Sequence, residues 1–477
     1  MDKGLKIVRL FTRQGEDVFS RFTYSKRPII IRDANNSVIF EQPDVEVPEH
    51  WSPFASEILA QKYFRKTGVP LAEGKSGGET SVRQVIHRLA LAWKTWALKY
   101  GYLNSETDTA AFYDELVFML LSQMAAPNSP QWFNTGLHEV YGLRGPSQGH
   151  WYIDTASEKP MLSDSAYSHP QIHACFILSV KDDLVNPGGI MDLFLREARV
   201  FKYGSGSGTN YSALRSEKEP LSGGGSSSGV ISFLRVGDAA AGAVRSGGTT
   251  RRAAKMVILD VDHPEIRKFI QWKVEEEKKA QVLIRAGYSS SFEGAAYGSV
   301  SGQFSNNAVR VSDAFMEAVE RKELWSLIAR TTNNCVEKVN AKKIWDEMAA
   351  AAWSCGDPGV QFDTTINHWN TCAADGRIRA SNPCAEYMFL DDTACNLASL
   401  NVLKFFDSVT GTFDVQAFIH ACRLWSIVLD LSLHVAQYPS AEVAQRTFDY
   451  RTIGLGFTNL GAAIMRMGWT YDSYSAR

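Results

Sequence analysis

Asn382-Pro383-Cys384-Ala385-Glu386 sets a thiol between a short side-chain amide and a carboxylate, with a proline stiffening the chain just before the thiol. In an extended or loop conformation alternate residues project the same way, so positions 382, 384 and 386 can converge on one point. A thiol, an amide and a carboxylate at one point form a chemical set: a hydrogen-atom or nucleophilic centre, an orienting donor and a general base. Asn-Pro is equally an ordinary turn signal, and the five residues alone leave both readings open. Cys395 follows in Thr393-Ala394-Cys395-Asn396-Leu397-Ala398-Ser399-Leu400-Asn401, which reads as the start of a buried element. Taken singly, Cys395 reads as a buried, inert thiol.

Upstream of this stretch the texture is α/β. Ala174-Cys175-Phe176-Ile177-Leu178 and Met256-Val257-Ile258-Leu259 are short apolar runs bounded by Gly, Asn or Asp, with helical patterns at 191–203, 264–273 and 313–321 between and after them. Buried strands alternating with helices predict parallel strand segments. His263-Pro264-Glu265 reads as a helix start, with His263 in a capping or packing role in preference to a metal ligand. Further upstream, apolar residues recur at helical spacing over 52–64, 80–100 and 112–126, and residues 1–48 form a polar lead-in with β-prone runs at 28–31 and 38–40. The expected division is a mostly helical region over 1–125 and an α/β region over 126–477. A helix is expected over 415–438, and a strand at 452–457 with a helix after it.

Three Gly/Ser-rich stretches, 204–210, 222–229 and 245–252, fall within about fifty residues of one another. Flexible linkers are the default meaning of such composition, but three in one domain fit loops that approach a ligand. Two nucleotide motifs fail on spacing. Gly68 to Ser76 has five residues between its glycines where a P-loop needs four, and Gly204-x-Gly206-x-Gly208 lacks the Rossmann pattern.

Bulk properties exclude several classes. The chain has 477 residues, 45% apolar and 21% charged, with a formal net charge of −2. That balance offers no global field for nucleic acid or an anionic membrane. No run approaches the roughly eighteen apolar residues of a membrane span, and residues 1–15 lack a secretory pattern. Seven cysteines, odd in number and irregularly spaced, argue for a reducing cytoplasm and against a disulfide framework. No Cys-x-x-Cys pair occurs, so no structural metal is expected.

Taken jointly, the motifs resemble the catalytic subunit of a ribonucleotide reductase over roughly residues 50–477. Asn-x-Cys-x-Glu, with Cys395 in a Cys-Asn-Leu-x-Ser-x-Asn context, resembles the family's finger loop. Ala126-Pro127-Asn128-Ser129-Pro130 resembles its substrate-phosphate turn. The strand at 174–178 with Asp182 resembles the one bearing the first redox cysteine and an effector-contacting acid. Phe201 through Arg215 resembles the first specificity loop and its approach. Gly247-Gly248-Thr249-Thr250-Arg251-Arg252 resembles the second, with Asp262-His263-Pro264-Glu265-Ile266 following in order. Trp51 to Phe64 is similar to the adenosylcobalamin-dependent class II enzymes.

The resemblance implies a helical N-terminal segment followed by part of a ten-stranded α/β barrel with a central finger loop. It implies that Cys384 carries a thiyl radical and takes hydrogen from C3′ of the ribose, that Glu386 deprotonates the 3′-hydroxyl, and that Asn382 holds the ribose hydroxyls. Cys175 and Cys395 would supply the reducing equivalents and end as a disulfide. Ser129, Ala174, Asn382 and Glu386 would contact the ribonucleotide substrate. Asp182, Arg215, Gly248, Arg251 and Arg252 would contact a deoxynucleotide effector. Adenosylcobalamin is the implied cofactor, a thioredoxin-like protein the implied reductant, and a homodimer through the effector-site helices the implied assembly. Only 93 residues follow Cys384, too few for the remaining barrel strands, so either a second polypeptide completing the barrel or a truncated product inactive alone is expected. Two rivals stand beside this reading: a glycyl-radical relative, and a non-catalytic nucleotide-binding subunit or inactive fragment.

Overall fold

The computed structural model describes residues 4–32, 36–244 and 253–477, and the chain divides into two compact units, 1–174 with 395–477 and 175–394.

In the first unit the lead-in forms an antiparallel hairpin, β1 (Tyr24–Arg32) with β2 (Val38–Pro48). Three helices follow: α1 (Pro53–Ile58), α2 (Val82–Lys99) and α3 (Glu106–Leu121). Ser81 and Gln84 close a capping box at the start of α2, which satisfies two of its orphan amides. Val82, Val85, Ile86, Leu89, Trp93 and Trp96 form its buried stripe at helical spacing. Trp93 meets Trp425 edge-on at 5.5 Å, tying α2 to the helix Val415–Ser432 within one apolar core. The expected helices end sooner than the apolar pattern does. Pro127 and Pro439 disfavour helical backbone at Ala126 and Tyr438, the residues just before them. Thus β3 (Ala125–Pro127) is extended and pairs with the strand Thr393–Asn401, and Gln437–Tyr438 is a strand paired with Trp151 and Tyr152. Thr393–Asn401 also pairs in parallel with the strand Ile453–Thr458.

The second unit carries a parallel sheet in the order β8-β7-β6-β5-β4, where β4 is Cys175–Ile177, β5 Gly206–Asn210, β6 Lys255–Asp260, β7 Ser305–Val311 and β8 Gly359–Phe362. Helices α4 (Ile190–Lys202), α5 (Val230–Ala243), α6 (Ile266–Arg285) and α7 (Asp313–Arg321) fall between or after these strands, so the α/β expectation holds. Five parallel strands are what the resemblance implies for one barrel half. His263 is buried beside the start of α6, its Nε2 2.9 Å from the Leu214 carbonyl and its Nδ1 accepting from Glu265 N at 3.0 Å, as the packing reading expects.

One expectation fails here. The glycine- and serine-rich residues 206–210 are not a ligand-facing loop but β5 itself. Its two faces differ because side chains alternate along a strand. Ser207 points to one side, where its hydroxyl donates to Glu197 at 3.0 Å; Lys255, paired opposite Ser207, also donates to Glu197, at 2.7 Å. Gly206 and Gly208 face the other side, toward the antiparallel hairpin β9 (Ala380–Ser381) and β10 (Met388–Phe389). A Cβ on Gly206 would sit 2.8 Å from Pro383 Cγ, and one on Gly208 would overlap the Ser381 carbonyl oxygen. The serines and glycines therefore serve a strand that another backbone closely overlies.

Gly208→Ala should cost about 1–3 kcal/mol by overpacking, read as a lower urea midpoint, while Gly223→Ala, whose added methyl meets nothing within 4 Å, should cost none of this. Burial holds His263 well below the ordinary histidine range, at about 4. Its depressed value means that folding is favoured by this group above about pH 6.5, and that the contribution is lost as pH falls toward about 4. Urea midpoints measured across that window should fall in the wild type and fall less in His263→Gln.

Candidate active site

The hairpin β9–β10 is closed by its own backbone. Asn382 N donates to Tyr387 O at 3.2 Å, Tyr387 N donates to Asn382 Oδ1 at 3.0 Å, and Ala385 N donates to Asn382 O at 3.1 Å. Residues 382–385 thus form a β-turn with Pro383 at its second position, where a fixed φ is an advantage. Ala385 closes it at φ +63°, a left-handed conformation that costs a residue bearing a Cβ roughly 1–2 kcal/mol. The flanking hydrogen bonds hold it there. A tight turn, and not alternation along an extended chain, brings the Asn382 and Glu386 side chains to one place, and it leaves Cys384 exposed.

Cys175 opens β4 on the same face as Gly206, its partner in register. Its sulfur accepts from Asn382 Nδ2 at 3.0 Å and its thiol donates to Glu386 Oε1 at 3.5 Å. Asn382 and Cys175 are buried, whereas Cys384 and Glu386 are exposed. A thiol, an amide and a carboxylate are thus joined in one cluster, with a second, accessible thiol on the turn between the amide and the carboxylate. Tyr387 Oη donates to Thr393 Oγ1 at 2.7 Å and braces the far side of the turn. Asn306 on β7 donates from Nδ2 to Pro383 O at 2.9 Å. Asn306 carried no local signal of a site role, and the two glycines of β5 were read as part of a ligand-facing loop, because each acts only through a strand distant in sequence.

In the first unit Cys395 is buried in its strand, as the bland reading of that residue had it, and Asn396 beside it accepts from Asn128 Nδ2 at 3.0 Å. Asn128 N also donates to Leu397 O at 3.0 Å, so the turn bearing Ser129 is fastened to the Cys395 strand. Ser129 Oγ lies 3.0 Å from Tyr63 Oη. Ala174 immediately precedes Cys175. Asp182 and Arg215 are paired: Arg215 Nε donates to Oδ2 at 2.7 Å and its backbone amide to Oδ1 at 3.3 Å. Pro220 O accepts from Arg215 Nη1 at 2.7 Å, which fixes the guanidinium plane. Gly248, Arg251 and Arg252 lie outside the described residues. Among the described residues no cluster of three or more His, Cys, Asp or Glu could hold a metal ion, and no helix is long and apolar enough to cross a membrane.

Comparison with known proteins fits this geometry. Residues 173–477 match the model of the ribonucleotide reductase barrel domain, and residues 25–123 match that of the class II vitamin B12-dependent ribonucleotide reductases. Proteins named vitamin B12-dependent ribonucleotide reductase are similar along nearly the whole chain. That of Rhodopirellula baltica is 46% identical over 99% of this chain and 45% of its own length. That of Bradyrhizobium diazoefficiens is 44% identical over 99% and 45%, and that of Streptomyces clavuligerus 42% identical over 100% and 46%. The chain spans about half the length of the curated relatives it matches. Those relatives hold the matched region and the remainder in one chain, so the comparison lends no support to a separate completing polypeptide. Two family models and similarity along nearly the whole of this chain converge on one assignment: the chain belongs to the ribonucleotide reductases and is most like their vitamin B12-dependent class II.

Proposed function

We propose that this chain carries the reaction centre of a ribonucleotide reductase that converts ribonucleotides to 2′-deoxyribonucleotides for DNA synthesis. The observation that carries the reading is the contact of Asn382 and Glu386 with the Cys175 sulfur on the turn that exposes Cys384. Cys384, as a thiyl radical, takes the hydrogen atom from C3′ of the ribose. Glu386 accepts the 3′-hydroxyl proton, which pushes electron density toward C2′ as the protonated 2′-hydroxyl departs as water. Asn382 orients the ribose hydroxyls. Cys175 and Cys395 give up two electrons and two protons and become a disulfide. Cys384 then returns its hydrogen atom to C3′ and is regenerated as the radical.

Cys384 is the group that the cofactor would oxidise, and no residue of the turn need ligate cobalt. Bound adenosylcobalamin supplies, by homolysis of its cobalt–carbon bond, the oxidising equivalent for the thiol. Ser129 and Ala174 contact the substrate. Asp182 and Arg215, with Gly248, Arg251 and Arg252, take the phosphates and sugar of a deoxynucleotide effector. The two family models match on either side of a division at 125/126, which supports a helical region over 1–125 and a barrel region over 126–477. A homodimer through the effector-site helices, a thioredoxin-like reductant and a cytoplasmic site complete the proposal.

The assay is adenosylcobalamin-dependent formation of deoxyribonucleotide with a dithiol reductant, run on the chain alone and with the remaining length of the relatives supplied. Cys384→Ser should abolish product, and Glu386→Gln should slow it by about 10²–10⁴-fold. Undiminished turnover in Cys384→Ser would overturn the assignment of the radical thiol. Arg215→Ala should weaken deoxynucleotide binding, measured by equilibrium dialysis, and leave the Cys384 turn unchanged.

A further inference from the structure

Asp238 lies on α5, buried, and touches none of the groups assigned to the reaction. Its carboxylate accepts three consecutive backbone amides: Gly302 N at 2.7 Å and Gln303 N at 3.2 Å on Oδ2, and Phe304 N at 2.9 Å on Oδ1. A buried carboxylate is costly unless donors surround it, and charge-assisted bonds to amides are the strong kind. The arrangement therefore fixes the backbone of 302–304 to α5. Gly242, one helical turn further along, adds a second grip, since a Cβ there would meet the Phe304 ring at 2.5 Å.

Residues 302–304 run directly into β7. Ser305 is its first residue and Asn306 its second, and the Asn306 side chain holds the Pro383 carbonyl at 2.9 Å. Phe304 O also accepts from Lys255 N at 3.2 Å, so the entrance to β7 is tied to β6 as well. Helix α5 itself joins the two glycine-rich stretches, beginning after residues 222–229 and ending just before 245–252. One side chain thus connects the helix between those stretches to the strand that holds the Cys384 turn.

We infer that Asp238 is a positioning residue for the Cys384 turn, acting through the 302–304 amides and Asn306. The inference rests on the reading of that turn as the reaction centre, yet its test does not depend on turnover.

Hydrogen exchange of the full chain, resolved by peptide, provides the test. Asp238→Ala and Asn306→Ala should each speed exchange of the 382–387 amides about fivefold, the size expected for one lost hydrogen bond. The double variant should be no faster than the faster single, because both act on one route. Asp238→Asn, which keeps one acceptor oxygen, should recover part of the protection. Amides at the far end of β7, 309–311, report global loosening; if Asp238→Ala loosens them, Asp238→Asn carries the test, and unchanged 382–387 exchange in it would overturn the inference. Freed 302–304 amides with unchanged 382–387 exchange in Asp238→Ala would overturn the inference, as would unchanged 382–387 exchange in Asn306→Ala. Failure of Cys384-dependent turnover with the exchange pattern intact would instead sink the reading of the reaction centre.

Discussion

The approach of the Ser381 carbonyl to Gly208 is the constraint on which the second unit's chemistry depends. Two backbones lie nearly in contact there, and only an absent side chain permits it. Because β5 offers bare backbone at 206 and 208, the hairpin settles low enough for Asn382 to reach the Cys175 sulfur. Parallel register then supplies the rest. Cys175 pairs with Gly206 and Met256 with Asn306, so Cys175 and Asn306 emerge on the face that the hairpin covers. Thiol, amide and carboxylate meet because four strands are in step.

The opposite face of the same strand is built differently. Glu197 and Lys255 are both buried and lie 2.7 Å apart, with Ser207 and Tyr211 as further partners. Burial alone would lower the lysine's affinity for its proton, but the Glu197 carboxylate outweighs it and holds Lys255 protonated. Breaking one partner of such a pair typically costs about 3–5 kcal/mol, because the other is left as an uncompensated charge. The pair binds α4, β5 and β6 together beneath the strand that the hairpin overlies, and gives the glycine-rich face a rigid floor.

Much of this was legible in the residues. Apolar spacing gave α2 and the α4 helix within a residue or two, and the buried runs at 174–178 and 256–259 became β4 and β6. Asn382, Cys384 and Glu386 were visible as a chemical set, whereas Asp182 and Arg215 were joined only by the family resemblance and their ion pair is seen in the fold. What stayed hidden has a common cause. Glycine–serine composition has no periodicity of polarity, so it could not announce that 206–210 is a strand whose two faces do unlike work. Asn306 and Asp238 are ordinary residues whose roles exist only once distant strands are brought into register. Helix ends at 121 and 432 were overrun because apolar spacing continued past them, into segments where Pro127 and Pro439 favour extended backbone at the residue before each.

The proposed chemistry makes a stoichiometric demand of the thiols. With substrate and adenosylcobalamin but no external dithiol, each deoxynucleotide formed must be matched by one disulfide drawn from the protein. Peptide mapping after such a single turnover should find Cys175 and Cys395 joined, in amounts equal to the product, with Cys335 and Cys422 still reduced. Product formed while Cys175 remains a thiol, or a disulfide that leaves Cys175 out, would contradict the assignment of Cys175 as a reducing thiol beside the Cys384 turn.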